Sequence, residues 1–320
     1  MSVPGAVIEV QGLSKSYPAG FWRRRIPVLR NVSFAVRENE VVGFLGANGA
    51  GKTTTLKILN CLAFPDSGSV RIFGEPCGVR SEARRRIGFM PEQPYFYEYL
   101  TGEEFLTLCG RLNGMGRREI RRRTGEMLDR VGLPGAGGTA IRKYSKGMMQ
   151  RLGLAQALLH DPELVILDEP MSGLDPVGRM DVRNIIAGLK SSGKTVFFST
   201  HIISDVEALC DRVVLLDRGR KLTEGTVPEL VGQEVLYVEL EFSPPPAAAV
   251  LAAAGVPADR AVRSGDAMVV RAGTLEEAND WISAVHSRGG RLRSMTQARH
   301  RLEEIYVAHL AGTGGVGNGA

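Results

Sequence analysis

"GANGAGKTT", Gly46–Thr54, is the stretch on which the reading of this chain turns. It fits the spacing G-x-x-x-x-G-K-[ST], and its flanks decide what that spacing means. "EVVGFLG" ahead of it is a short apolar strand ending in glycine, and from Thr53 onward the pattern turns helical. In a strand–loop–helix setting, glycines let backbone N–H groups turn inward around phosphate oxygens. The helix N-terminus adds the positive end of its dipole. Gly46, Ala47, Asn48, Gly49, Ala50, Gly51, Lys52, Thr53 and Thr54 are therefore expected to cradle the phosphates of a nucleotide. Lys52 would reach the β and γ phosphates. The Thr53 hydroxyl would give an oxygen to Mg²⁺, a hard cation that takes oxygen ligands.

Working outward, "LVILDEP" (Leu164–Pro170) is a continuous apolar strand that ends in two carboxylates. Such runs belong in buried parallel sheets, and those sheets bind ligands at their carboxyl edge. Asp168 fits the Mg²⁺-side carboxylate, and Glu169 is the candidate to activate an attacking water. "TVFFSTH" (Thr195–His201) is a second such strand, ending in a histidine suited to sensing the γ-phosphate. Strands alternating with helices argue for an α/β core.

The bulk composition sets bounds. A hydrophobic fraction of 43% and a charged fraction of 23% over 320 residues describe a globular chain, long enough for more than one domain. The net charge of +5 gathers in basic runs at Arg23–Arg25, Arg84–Arg86 and Arg117–Arg123. No aromatic residues interleave with them as on a base-stacking platform, and no nucleic-acid partner is expected. No stretch approaches the roughly 20 apolar residues that span a bilayer, and the N-terminus lacks a secretory pattern. A cytoplasmic chain, peripheral on the inner face of the membrane through a partner, is expected. Cys61, Cys77, Cys109 and Cys210 form no C-x-x-C pair, so neither a disulfide framework nor a zinc site is expected.

"RVVLLDRGR" and "KLTEGTV" read as a hairpin closing a domain over residues 1–232. Beyond it the order changes to strand, helix, hairpin, helix and strand, with a last helix in "ARHRLEEIYVAHL". That order suggests a small α+β domain of ferredoxin-like type over 233–311. Thr274 and Glu277 read as a capping box on its second helix. The glycine-rich segment 312–320 reads as a disordered tail.

These pieces resemble one family, the ATPase subunits of ATP-binding-cassette (ABC) transporters. "GANGAGKTT", "MPEQ", "YSKGMMQR", "LVILDEP" followed by "SGLD", and "STH" occur in the family's order over roughly residues 6–230. The resemblance implies a P-loop NTPase cassette with a parallel-sheet core, an antiparallel β subdomain and a helical subdomain. It implies ATP and Mg²⁺ as ligands, a second ATP-binding subunit (a homodimer), and a membrane-spanning permease partner. An export role is the reading suggested by the added C-terminal domain, with a soluble ABC ATPase acting on ribosomes or DNA as the alternative. Tyr17 matches the aromatic that stacks on adenine, against the simpler reading of a strand tyrosine packed on the core. His201 matches the switch histidine, and Lys52, Glu169 and His201 form the expected catalytic set. Ser145 and Gly147 match the signature that faces the γ-phosphate held by the other subunit.

Two departures stand out. The lid position near Mg²⁺ falls on Glu92 or on Gln93, and both remain candidates for the metal. The signature reads Tyr144-Ser145-Lys146-Gly147-Met148 where the family's common form is Leu-Ser-Gly-Gly-Gln. Lys146 could add charge beside the phosphate or point away. Tyr95, Phe96, Tyr97 and Tyr99 form an aromatic loop, read either as a partner-binding surface or as a small satellite core.

Overall fold

Apolar runs with no polar alternation must be covered on both faces, and they set the centre of the molecule. The computed structural model describes residues 5–19, 24–78, 82–231, 235–299 and 302. β1 (Ala6–Ala19) and β2 (Arg24–Arg37) pair antiparallel. β3 (Val41–Leu45) leads through the glycine loop into α1 (Lys52–Leu59). Next come β4 (Ser67–Ile72), β5 (Glu75–Pro76) and β6 (Ile87–Met90). α2 (Gly102–Leu112), α3 (Arg117–Arg130) and α4 (Lys146–Leu158) follow. β7 (Leu164–Asp168), α5 (Pro176–Ser191), β8 (Thr195–Thr200), α6 (Ile203–Leu209), β9 (Arg212–Asp217) and β10 (Arg220–Thr226) complete the first compact unit, Met1–Val227.

The central sheet runs β10-β9-β3-β8-β7-β6, parallel except for β10. Each residue of β3, β7 and β8 is buried, as their sequences require. A second sheet, β2-β1-β4-β5, is antiparallel. Phe34 of β2 meets Phe44 of β3 and Phe197 of β8, with ring centroids 5.3–5.5 Å apart, so an aromatic cluster joins the two sheets. α2 begins with a full capping box between Thr101 and Glu104. Leu106, Met127, Leu128 and Leu152 bury the inner faces of α2, α3 and α4 in one core.

α7 (Val227–Val231) leads into the second unit, Pro228–Ala320. It holds β11 (Val235–Phe242), α8 (Ala248–Ala253), β12 (Ala261–Ser264), β13 (Ala267–Ala272), α9 (Leu275–His286) and β14 (Leu292–Arg299). The strand order β12-β13-β11-β14, antiparallel throughout, is the split β-α-β arrangement of the ferredoxin-like class. Phe242, Trp281 and Val285 anchor its core. Thr274 caps α9 by accepting from Glu277 N at 3.1 Å. The Glu277 carboxylate reaches the backbone N–H of Gly273 instead of closing a box on Thr274. Leu302 apart, the expected last helix beyond Arg299 and the tail 312–320 lie outside the described residues. Ala298 and Arg299, read as the start of that helix, belong to β14.

The cysteines depart from expectation. Cys61 and Cys77, 16 residues apart, are joined as a disulfide. Cys61, just past the Asn60 cap of α1, takes a left-handed conformation (φ 55°), and Cys77 directly follows β5. Cys109 and Cys210 are free, and burial pushes the Cys109 thiol up to about 11.

Candidate active site

The glycine loop sits where β3 ends. Gly51 has φ 108°, a conformation barred to side-chain-bearing residues, and it delivers the chain into α1 with Lys52 as its first residue. Gly46, Ala50, Gly51 and Lys52 are buried, while Ala47, Asn48 and Gly49 are exposed, so the loop opens outward over its middle. Lys52 Nζ folds back and donates to Gly46 O at 2.7 Å and to Ala47 O at 3.3 Å. Thr53 and Thr54 follow in the first turn of α1, half-buried.

The two apolar strands bring their terminal residues to the same place. Lys52 Nζ is 3.2 Å from Glu169 Oε1, and His201 Nδ1 is 2.9 Å from Glu169 Oε2. An ionised carboxylate can only accept, so Nδ1 carries the hydrogen and donates. Glu169 is 6% exposed and holds φ 47°, a left-handed backbone that non-glycine residues adopt at a cost of about 1–3 kcal/mol. Asp168, 2% exposed, accepts from Ser199 Oγ at 2.6 Å. Burial raises its pKa above the usual carboxylate value. The Ser199 and Thr53 hydroxyls work against that shift, and the Glu169 charge adds to it. Lys52, Thr53, Asp168, Glu169 and His201 thus form one connected cluster.

Ser199 is a residue the sequence reading passed over. Its side chain accepts from Glu169 N at 2.9 Å while donating to Asp168, so one hydroxyl fixes both carboxylate-bearing residues. The signal lay in register: β7 and β8 pair in parallel with Asp168 opposite Ser199. Gln150 was also passed over. Buried in α4, it donates to Pro170 O at 2.9 Å and ties the helix that starts at Ser145 to the chain following Glu169. Asp205, fully buried, binds both Arg179 and Arg183 and so joins α6, just after His201, to α5.

Other expected residues stand apart from this cluster. Tyr17 is 38% exposed on β1, with Lys15 Nζ 5.3 Å from its ring centroid, so it does not pack in the core. Asp66 accepts from Ser16 N at 2.7 Å and holds that strand in place. The same backbone bond keeps the Asp66 carboxyl below its ordinary range. Glu92 and Gln93 are exposed on the loop after β6, and neither bonds to another described residue. Ser145 caps α4 by accepting from Met148 N at 3.2 Å, and Gly147 follows it half-buried. Lys146 lies along Gly173: a methyl at Gly173 would stand 2.7 Å from Lys146 Cε. The Lys146 side chain therefore runs across the "SGLD" turn of its own chain. The aromatic loop divides between its two readings. Tyr95, Tyr97 and Tyr99 are exposed, whereas Phe96 packs edge-on against Phe105 at 5.0 Å.

Known proteins resemble this chain in sequence and fold. A family model described as ABC transporter matches residues 29–172. An ABC transporter ATP-binding protein of Nostoc sp. is 41% identical over 95% of this chain and 90% of its own length. The Nod factor export ATP-binding protein I of Paraburkholderia xenovorans is 37% identical over 77% of this chain and 80% of its own. Among solved structures, the dimeric post-hydrolysis state of the ATP-binding cassette MJ0796, bound to ADP and Pi, aligns with a TM-score of 0.63 at 28% identity. It covers 68% of this chain and 98% of that one. With the phosphate loop and the strand-end carboxylates in one cluster, the chain belongs to the ABC transporter family as an ATP-binding, ATP-hydrolysing subunit.

Proposed function

We propose that two copies of this chain close around a pair of ATP–Mg²⁺ and drive a separate membrane-spanning permease in export. The observation that carries this reading is the buried Glu169 carboxylate, held by Lys52 at 3.2 Å and His201 at 2.9 Å beside the phosphate loop. Incoming γ-phosphate replaces Glu169 as the partner of the Lys52 ammonium, which the Gly46 and Ala47 carbonyls already aim into the loop. Glu169 then turns to water. It accepts a proton as the water oxygen bonds to the γ-phosphorus and the bond to the β–γ bridging oxygen breaks, leaving ADP and phosphate. His201 donates to Glu169 through Nδ1, and contact between Nε2 and a phosphate oxygen would require the imidazolium form, in which Nε2–H also donates.

No group of three or more His, Cys, Asp or Glu side chains able to hold a metal occurs among the described residues. The Thr53 hydroxyl and the Asp168 carboxylate nonetheless suit Mg²⁺, which binds through a few oxygens plus substrate phosphates, with Glu92 or Gln93 as the lid. Bound there, the metal would neutralise charge between the β and γ phosphates. Tyr17 would stack on the adenine.

Each chain carries one phosphate loop and one copy of the Tyr144–Met148 segment that opens α4, which supports a closed dimer with Ser145 and Gly147 facing the partner's γ-phosphate. The dimeric state of the MJ0796 cassette supports the same reading. The exposed Tyr95, Tyr97 and Tyr99 suit contact with the permease at the inner face of the membrane. Nod factor export by a relative supports the outward direction. The second unit has a regulatory or dimer-supporting role in this reading. Sedimentation of the Glu169→Gln protein tests the sandwich: a dimer with ATP and Mg²⁺ is expected, and a monomer at high protein concentration would remove it.

A further inference from the structure

The basic run Arg117–Arg123 takes no part in the nucleotide cluster, and α3 sorts it into two sets. Arg122 and Arg123 are occupied. Arg122 binds Glu126 at 2.7 Å. Arg123 donates to the Leu158 and Leu159 carbonyls at 2.9 and 3.0 Å, fastening α3 to the end of α4. The side chains of Arg117 and Arg121, one turn apart, make neither ion pair nor hydrogen bond with any described residue, and the same holds for the side chain of Arg111 of α2. These three exposed arginines line one cavity of about 680 Å³ between α2 and α3, with Glu103 as its only acidic side chain.

Thr124, 5% exposed, sits in the wall of this cavity, and its hydroxyl has no hydrogen-bond partner. A helical threonine ordinarily returns its hydroxyl to the carbonyl one turn back, and an unpaired buried hydroxyl is costly. Thr107 adds a second hydroxyl from the α2 side. Gly125 also lines the cavity and is exposed, and a methyl there would meet nothing within 4 Å. Three guanidinium forks without carboxylate partners, converging with hydroxyls on a cavity of ligand size, match the chemistry of a phosphate group. We infer that the α2–α3 cavity binds a phosphate-bearing ligand, distinct from the ATP of the glycine loop. A bound phosphate would clamp α2 to α3, and through Arg123 it would stiffen the helical subdomain that carries Ser145 and Gly147.

The shared chemistry has two sources, an anionic lipid headgroup and a small soluble phosphate ester. The full chain, with its glycine loop filled by ADP, is titrated with glycerol 3-phosphate and, separately, sedimented with phosphatidylcholine vesicles with and without phosphatidylglycerol. The variants are Arg111→Gln/Arg121→Gln and a control of equal charge change, Arg118→Gln/Arg220→Gln, whose residues do not line the cavity. Losing two charge-assisted contacts should weaken binding about tenfold or more in the cavity variant, with the control near wild type. Loss confined to the phosphatidylglycerol vesicles identifies a headgroup, and loss confined to glycerol 3-phosphate identifies a soluble ester. Thr124→Val, which keeps the volume, should weaken the same binding while raising thermal stability. The inference is overturned if wild type binds neither probe, or if the control loses as much as the cavity variant.

Discussion

Lys52 Nζ and Glu169 Oε1 stand 3.2 Å apart, with both side chains less than a tenth exposed. One residue opens α1 and the other follows the end of β7, so their meeting depends on the sheet order that sets β8 between β3 and β7. A buried charge left without its partner is strongly destabilising. Lys52→Ala should therefore fail in two ways. ATP affinity should fall by about a hundredfold or more, from loss of a phosphate contact. The melting midpoint should also fall, because the buried Glu169 carboxyl loses its cationic partner. Nucleotide titration and thermal melts read the two effects separately.

Ser199 couples the two carboxylate residues, at 2.6 Å from Asp168 and 2.9 Å from Glu169 N. Ser199→Ala should cut ATP turnover about tenfold, equivalent to about 1.4 kcal/mol. The Mg²⁺ requirement should rise as well, since Asp168 loses its orienting hydroxyl. Ser199→Thr, which restores the hydroxyl, should recover part of the rate. Steady-state turnover at varied Mg²⁺ checks this.

Lys146 and Gly173 are coupled by contact. Gly173 has φ 67°, and a methyl added there would collide with the end of the Lys146 side chain, Nζ and Cε. Gly173→Ala should lower stability by about 1–2 kcal/mol, part from backbone strain and part from the displaced lysine. In a Lys146→Gly background the same change should cost less, since only the strain remains. A double-mutant cycle on unfolding midpoints gives the difference.

His160 supplies a pH-dependent term remote from the nucleotide cluster. Burial pulls its ring below the ordinary histidine range, while its bond to the Ile87 carbonyl pulls the other way. Arg123 and Lys194 lower it further, and Asp161 opposes them. A depressed folded value means that the unfolded chain takes up the proton first. Stability is therefore present above about pH 6.5 and declines as pH falls from there toward the folded value. Between about pH 7.5 and 5.5, wild type should lose more of its melting midpoint than His160→Gln, which keeps a donor for Ile87 O.

The sequence made the skeleton legible where local chemistry is obligatory. "GANGAGKTT" needs left-handed backbone and an open loop, and "LVILD" has no polar residue to expose before its carboxylate, so both read directly. The split β-α-β order of the second unit followed from alternation and turn residues. Features that depend on register or distant packing did not read. Ser199 gains its place only once β8 lies beside β7, and Lys146 finds Gly173 only when α4 and the turn after β7 meet. The Cys61–Cys77 link joins the chain just past α1 to the residue after β5, which spacing alone does not reveal. The Arg117–Arg123 run looked uniform, yet α3 gives its members different partners.

Single-turnover hydrolysis by Glu169→Gln, with ATP binding measured on the same protein, tests the central claim most directly. The amide keeps the size of the side chain but takes no proton from water. ATP binding at wild-type strength or tighter, with the hydrolysis step slowed by about a hundredfold or more, is the result predicted. A hydrolysis step within a few-fold of wild type would contradict the assignment of Glu169 as the group that activates water.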